Sequence, residues 1–123
     1  MIYSDLLGVR FRPHGRSKEE GYDCYGLAKE VLKRNGIDLP EQEYKTLKPT
    51  DNVWEDFNKH FTKIDKPEVN CIVEISSYKQ KRGHLAVYIG DGMIIHSIIK
   101  TGVCIEPLKH YDHRIEGYYR VTD

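Results

Sequence analysis

One segment near the N-terminus has hydrophobic residues at helical spacing, with charged residues between them. Its apolar positions are Leu27, Ala28, Val31 and Leu32. Positions three and four apart share one face of a helix, so the pattern indicates an amphipathic helix with one buried face. Asp23 is a suitable N-cap residue, and Asn35-Gly36 is a typical C-terminal stop after basic residues. We therefore predict a helix between these two signals.

Two further segments have weaker helical patterns. Residues Ile2–Leu7 could form a short helix at the N-terminus. Residues Asn52–His60 place Val53, Trp54 and Phe57 on one side, which predicts a second amphipathic helix.

From residue 70 onward the hydrophobic period changes to that of strands. Four strand-like segments follow one another: VNCIVEIS, HLAVYIGDGMIIHSI, GVCIEPL and EGYYRVT. Within the second of these, Gly90-Asp91-Gly92 predicts a tight hairpin turn. Helices first and an antiparallel meander afterwards indicate the α+β class, with the sheet segregated from the helices.

The composition fits one globular domain over residues 1–123. Hydrophobic residues make up 39% of the chain and charged residues 31%, which argues against disorder. The chain has 19 basic and 19 acidic residues and a net charge of zero, so we expect no nucleic-acid partner. No apolar run approaches the roughly 20 residues of a membrane span. The N-terminus lacks the pattern of a signal peptide, which predicts synthesis in the cytoplasm.

The three cysteines differ in their sequence surroundings. Cys71 and Cys104 lie in apolar, β-branched segments, where we expect small core or sheet residues. An odd number of scattered cysteines argues against a disulfide framework. Cys24 instead falls in the first turn of the best-defined helix, where the helix dipole and unpaired N–H groups favour a thiolate.

Two histidines complete a candidate catalytic group with Cys24. His84 opens a strand after the KQKRG segment, and His96 lies twelve residues later, beyond the predicted hairpin turn. The two rings can therefore lie near one another on adjacent strands. His84 would take the thiol proton and His96 would orient His84, while the Cys24 N–H would stabilise the oxyanion. A zinc site of the same three residues is the alternative.

The segments GYDCYGLAKEVLKRNGIDLP and GHLAVYIGDGMIIHS resemble the NlpC-type peptidoglycan peptidases. The match runs from about Gly8 to Tyr119. Cys24 corresponds to the nucleophile of that family, His84 to the base and His96 to the orienting residue. The resemblance implies a papain-like fold, with N-terminal helices packed on a mostly antiparallel sheet of five or six strands. It also implies hydrolysis of amide bonds in peptidoglycan stem peptides, next to D-glutamate or diaminopimelate, without a metal or cofactor.

Further residues resemble the branch of this family found in tail proteins of lambda-like phages. These are the loop Gly15-Arg16-Ser17, the aromatic Tyr25 and the segment Gly117 to Arg120. The resemblance therefore implies phage tail proteins as partners, and the virion tail or the cell wall as the place of action. Asp23 and Tyr25, beside the nucleophile, are the expected substrate-binding residues.

The functional alternatives at this point come from two other classes. The domain could be an assembly component of a phage tail tip, with a vestigial or protein-processing site. It could also transfer acyl or amide groups instead of hydrolysing them, as papain-like folds can. The remaining histidines, His14, His60, His110 and His113, are expected on the surface or in loops.

Overall fold

The computed structural model describes residues 2–41, 60–77 and 80–122. These ranges contain two short strands, then one α-helix, then a run of six strands. In chain order the elements are β1 Arg16–Ser17, β2 Gly21–Tyr22, α1 Cys24–Arg34, β3 Phe61–Ile64, β4 Ile72–Ser77, β5 Gln80–Gly90, β6 Met93–Ile98, β7 Gly102–Pro107, the 3-10 helix Leu108–Arg114 and β8 Ile115–Val121. The predicted α+β class is confirmed.

Six of these strands form one antiparallel sheet in the order β3-β8-β4-β5-β6-β7. The meander from β4 to β7 follows the chain because short turns join antiparallel neighbours. Strand β8 returns to pair with β4, and β3 pairs with the outer edge of β8. The predicted hairpin is confirmed: Gly90 pairs with Met93, and Asp91 and Gly92 both have positive φ.

Helix α1 covers one face of the sheet and buries its predicted apolar stripe there. Its members Leu27, Ala28, Val31 and Leu32 are all at most 1% exposed. They belong to one hydrophobic cluster with Leu85, Val87 and Ile95 of the central strands. This packing presses the N-terminus of α1, and so Cys24, against the middle of the sheet.

The opposite face of the sheet holds a second hydrophobic cluster. Its buried members are Cys71, Val73, Ile75, Ala86 and Ile94. Leu108 and Tyr111 of the 3-10 helix pack against this cluster from outside. The 3-10 helix is therefore placed over the sheet face that α1 leaves open.

Some predicted elements differ from the structure. Residues 2–8 form successive turns, with a hydrogen bond from the Leu6 N–H to the Tyr3 carbonyl, and not a regular helix. The predicted helix Asn52–His60 lies, apart from His60, outside the described residues. Strand β5 already begins at Gln80, so His84 lies inside the strand and does not open it. Among the described residues, no helix is long and apolar enough to cross a membrane.

Candidate active site

The first turn of α1 is fixed by Asp23, as the sequence predicts. The Asp23 carboxylate accepts a hydrogen bond of 2.8 Å from the Gly26 N–H and caps the helix. The same carboxylate accepts from the His14 N–H and from the Arg16 guanidinium, each at 2.9 Å. Asp23 is 2% exposed, so the buried charge is paired as burial requires. Cys24 follows directly and is thus held at a rigid position.

The Cys24 thiol is enclosed between α1 and β5. The side chain is 2% exposed, and the backbone N–H of Leu85 hydrogen-bonds its sulfur. Burial, and then the charge of Asp23, raise the pKa of the thiol to about 12 against the opposing N–H groups of Leu85, Tyr25 and Cys24. The N–H groups at the helix N-terminus favour the thiolate, as expected, but burial outweighs them and the thiol pKa is raised. The thiol needs a base to lose its proton.

The two predicted histidines contact one another. The His84 Nε2 lies 2.7 Å from the His96 Nδ1, and the ring centroids are 5.0 Å apart. The pairing of β5 with β6 runs from Gly90 opposite Met93 to Val87 opposite Ile95, so both histidines lie beyond its last pair. Continuing that register makes them diagonal neighbours on one face, within reach of each other. The expected contact between the two rings is confirmed.

The backbone of β5 contacts the Cys24 sulfur next to His84. The contacting group is the N–H of Leu85, in the peptide bond between His84 and Leu85. Burial, followed by His96 and Arg114, lowers the pKa of His84 to about 3, although Glu106 opposes the shift. His84 is consequently neutral near pH 7, which is the form that a general base requires.

Glu106, which was not predicted from the sequence, continues this chain of hydrogen bonds. The His96 Nε2 lies 2.6 Å from Glu106 Oε2, and the Tyr111 hydroxyl donates to the same oxygen at 2.6 Å. Glu106 and Cys104 lie on β7, where they pair with Ile94 and His96 of β6. The alternation of side chains in the GVCIEP segment places Cys104 and Glu106 on one face of a strand. Predicting that this face contacts His96 also requires the register between β6 and β7.

The two predicted substrate-binding residues are buried. Asp23 is occupied by its cap and by Arg16, which favours a structural role. Tyr25 is 1% exposed; its hydroxyl hydrogen-bonds the Pro40 carbonyl, and the Arg16 guanidinium lies 5.5 Å from its ring centroid. Tyr25 therefore packs against the loop before residue 41, and the substrate-binding roles of Asp23 and Tyr25 stay predictions.

The other cysteines and histidines lie mostly where expected. Cys71 is buried in the second cluster, and His14, His110 and His113 are exposed while His60 is half-buried. Among the described residues, the potential metal ligands that converge are His96, Cys104 and Glu106, whose ligand atoms lie within 4.8 Å of one another. This group differs from the Cys24, His84 and His96 zinc alternative. Its histidine is already hydrogen-bonded to its carboxylate.

The half-buried His84 predicts a loss of stability in mild acid. His84 has a lower pKa folded, about 3, than its ordinary 6.5, so the unfolded chain binds more protons between these values. The contribution of His84 to the free energy of unfolding is therefore fully present above pH 6.5 and falls as the pH drops toward 3. We expect a loss of about 2 kcal/mol between pH 7 and pH 5 in urea denaturation. His84→Gln should remove most of this slope and the exposed-site variant His113→Gln should keep it; equal slopes in all three proteins would contradict the assignment.

Comparison with known proteins places this geometry in a family context. The model of the NlpC/P60 family matches residues 8–117. The gamma-DL-glutamyl hydrolase of Bacillus subtilis is 30% identical over 85% of this chain and 24% of its own length. The murein DD-endopeptidase MepS/murein LD-carboxypeptidase of Escherichia coli K12 is 23% identical over 86% of this chain and 51% of its own length. The chain thus spans about half or less of these relatives.

A solved structure shares the fold. The crystal structure of an NlpC/P60 family protein from Bacillus cereus superposes with a TM-score of 0.69 and 26% identity, covering 96% of this chain and 37% of that one. The papain-like α+β fold implied by the sequence resemblance is therefore confirmed, and the sheet has the larger of the two expected strand numbers.

Proposed function

The chain belongs to the NlpC/P60 family, and on this basis we propose that it is a cysteine peptidase that hydrolyses amide bonds in peptidoglycan stem peptides. One observation supports the proposal: the Cys24 thiol contacts the backbone N–H of Leu85, the residue that follows His84 in β5, and the His84 ring is hydrogen-bonded to that of His96. A nucleophile, a neighbouring base and a group that orients the base are the three parts of such a site.

The proposed reaction proceeds in two stages. The Cys24 sulfur attacks the peptide carbonyl carbon while the thiol proton passes to His84. The oxyanion forms near the N–H of Cys24 at the helix N-terminus, where a donor contributes a few kcal/mol. His84 returns the proton to the leaving amine as the C–N bond breaks, leaving a thioester on Cys24. Water, deprotonated by His84, then hydrolyses the thioester and restores the thiol.

Two relatives of the chain support the proposed substrate class. One is a gamma-DL-glutamyl hydrolase and another a murein endopeptidase and carboxypeptidase. We propose a bond next to D-glutamate or diaminopimelate in the stem peptide. The proposed partner is therefore a peptidoglycan peptide, and it must displace the contacts that enclose Cys24.

We also propose that the protein acts in a phage tail. It rests on the sequence features Gly15-Arg16-Ser17, Tyr25 and Gly117 to Arg120. The burial of Cys24 favours a second candidate, a tail-tip assembly component with a vestigial or protein-processing site, because a closed thiol of raised pKa reacts slowly.

Incubation with purified muropeptides tests the function, with the cleaved stems identified by mass spectrometry. We expect cleavage of stems with D-glutamate or diaminopimelate, and no cleavage of an L-amino-acid peptide of equal length. Intact stems, together with slow iodoacetamide alkylation of Cys24 even when muropeptide is present, would contradict the peptidase and favour the assembly role. Products that appear only with an added amine acceptor would indicate transfer instead.

A further inference from the structure

We propose that Glu106 is a positioning residue that selects the tautomer of His96 and, through it, the nitrogen with which His84 meets Cys24. This inference rests on the proposed peptidase function and deepens it. It adds to the site a carboxylate on β7 that touches neither the nucleophile nor the base.

The direction of the hydrogen bonds follows from the donors and acceptors available. A neutral imidazole has one N–H donor and one acceptor nitrogen, whereas a carboxylate can only accept. Because His96 Nε2 lies 2.6 Å from Glu106 Oε2, that nitrogen must carry the proton. His96 Nδ1 is then an acceptor, so His84 Nε2 donates to it across 2.7 Å. The remaining nitrogen of His84, Nδ1, keeps the lone pair that a general base needs.

The surroundings of Glu106 hold its carboxyl group in the ionised form. Burial opposes ionisation, but hydrogen bonds from Tyr111, His96 and His110 outweigh it and lower the pKa of Glu106 to about 2. Tyr111 donates to Oε2 at 2.6 Å, and His110 Nδ1 lies 3.6 Å from Oε1. The 3-10 helix thus supplies the donors that keep the carboxylate charged and aimed at His96.

Other titratable and charged groups face the same cluster. The Cys104 thiol donates to Glu106 Oε2 at 3.6 Å from the same strand. Arg114 acts on both His84 and His96 and disfavours their protonation. Glu106 acts in the opposite sense on both rings. Removing its charge should therefore make His84 harder to protonate.

A purely structural role for Glu106 is the competing explanation, since it also ties β7 to the 3-10 helix through Tyr111. That role predicts lower stability without a change of tautomer or pH profile. Two variants separate the explanations. Glu106→Leu removes every acceptor, whereas Glu106→Gln keeps a carbonyl oxygen for Tyr111 and His96 but removes the charge. Glu116→Gln, at an exposed position of β8, is the matched control.

Two-dimensional ¹H–¹⁵N NMR of histidine-labelled protein reads the tautomers directly and needs no turnover. We expect His96 protonated at Nε2 in the wild type, in Glu106→Gln and in the control. In Glu106→Leu we expect a mixture of tautomers or protonation at Nδ1. Protonation of His96 at Nδ1 in the wild type, or an unchanged tautomer in Glu106→Leu, would overturn the proposal.

Kinetics with a cleavable muropeptide supply the second readout. We expect kcat to fall about 10- to 100-fold in Glu106→Leu with KM within about threefold, and Glu106→Gln to recover part of the loss. The acidic limb of kcat/KM should move to lower pH in both variants. An unmoved limb with a kcat equal to the control would also overturn the proposal. If the wild type cleaves no muropeptide, the proposed function fails, while the NMR result still decides the role of Glu106. If Glu106→Leu does not fold, the acidic limb of the kcat/KM profile of Glu106→Gln decides instead.

Discussion

Replacing Cys24 by Ala should reduce muropeptide cleavage by about 10⁴-fold or more, because the variant cannot form the acyl-enzyme. Cys24→Ser is the more demanding test. A serine hydroxyl keeps a similar size and can accept from the Leu85 N–H, yet it is a much weaker nucleophile beside the same base. We expect it to be nearly as inactive as Cys24→Ala, with a melting temperature close to that of the wild type.

Cys71→Ala provides the control for loss of a buried thiol. Cys71 is 1% exposed and lies in the second cluster, where its carbonyl accepts a hydrogen bond from the Tyr88 N–H, four residues along β5 from His84. The variant should lose stability of about 1 kcal/mol from its small cavity and keep cleavage within a few-fold of the wild type. Cleavage that survives in Cys24→Ala, or that disappears in a folded Cys71→Ala, would contradict the assignment of the nucleophile.

Gly26→Ala should strongly destabilise the protein. A Cβ at this position would lie 2.1 Å from the Gly15 carbonyl oxygen and 2.9 Å from the Arg16 guanidinium. The carbonyl belongs to the backbone, so it can move away only if the loop before β1 separates from α1. We expect a loss of at least about 3 kcal/mol, read as a fall in melting temperature of roughly 10 °C. Muropeptide cleavage should fall as well, since the same contact seats the turn that carries Cys24.

Gly36→Ala is the matched control for that substitution. Gly36 has a φ of +78°, but an added Cβ there meets no atom within 4 Å. Only backbone strain opposes the change, at a cost of about 1 kcal/mol. If Gly26→Ala proves no less stable than Gly36→Ala, the close approach of the loop to the helix is wrong.

The sequence predicts the elements that local pattern determines. Helix α1 has its cap at Asp23, its stop at Asn35-Gly36 and its apolar stripe where periodicity places them. The hairpin at Asp91-Gly92 is equally local, because two residues with positive φ specify the turn. Contact between His84 and His96 follows from that turn once the strands are paired.

Other features depend on contacts distant in sequence. Strand β3 has only four residues, with Thr62 and Lys63 exposed, and it exists because β8 offers an edge. Burial of Cys24 depends on how closely α1 approaches β5, which no local pattern encodes. This is why the helix N-terminus alone predicted a thiolate, whereas burial raises the pKa of the thiol and favours its neutral form. Glu106 was missed for the same reason, since its contact with His96 requires the register of a second hairpin.

We propose that Cys24 forms a covalent thioester with the substrate, with His84 as the base. Mass spectrometry of the acid-quenched enzyme, taken in the first turnovers with excess muropeptide, detects this thioester. We expect an acyl adduct on the peptide that contains Cys24, which hydroxylamine removes and His84→Gln prevents. Stem cleavage at full rate with an acyl group on another residue, or an adduct on Cys24 that forms equally fast in His84→Gln, would contradict it.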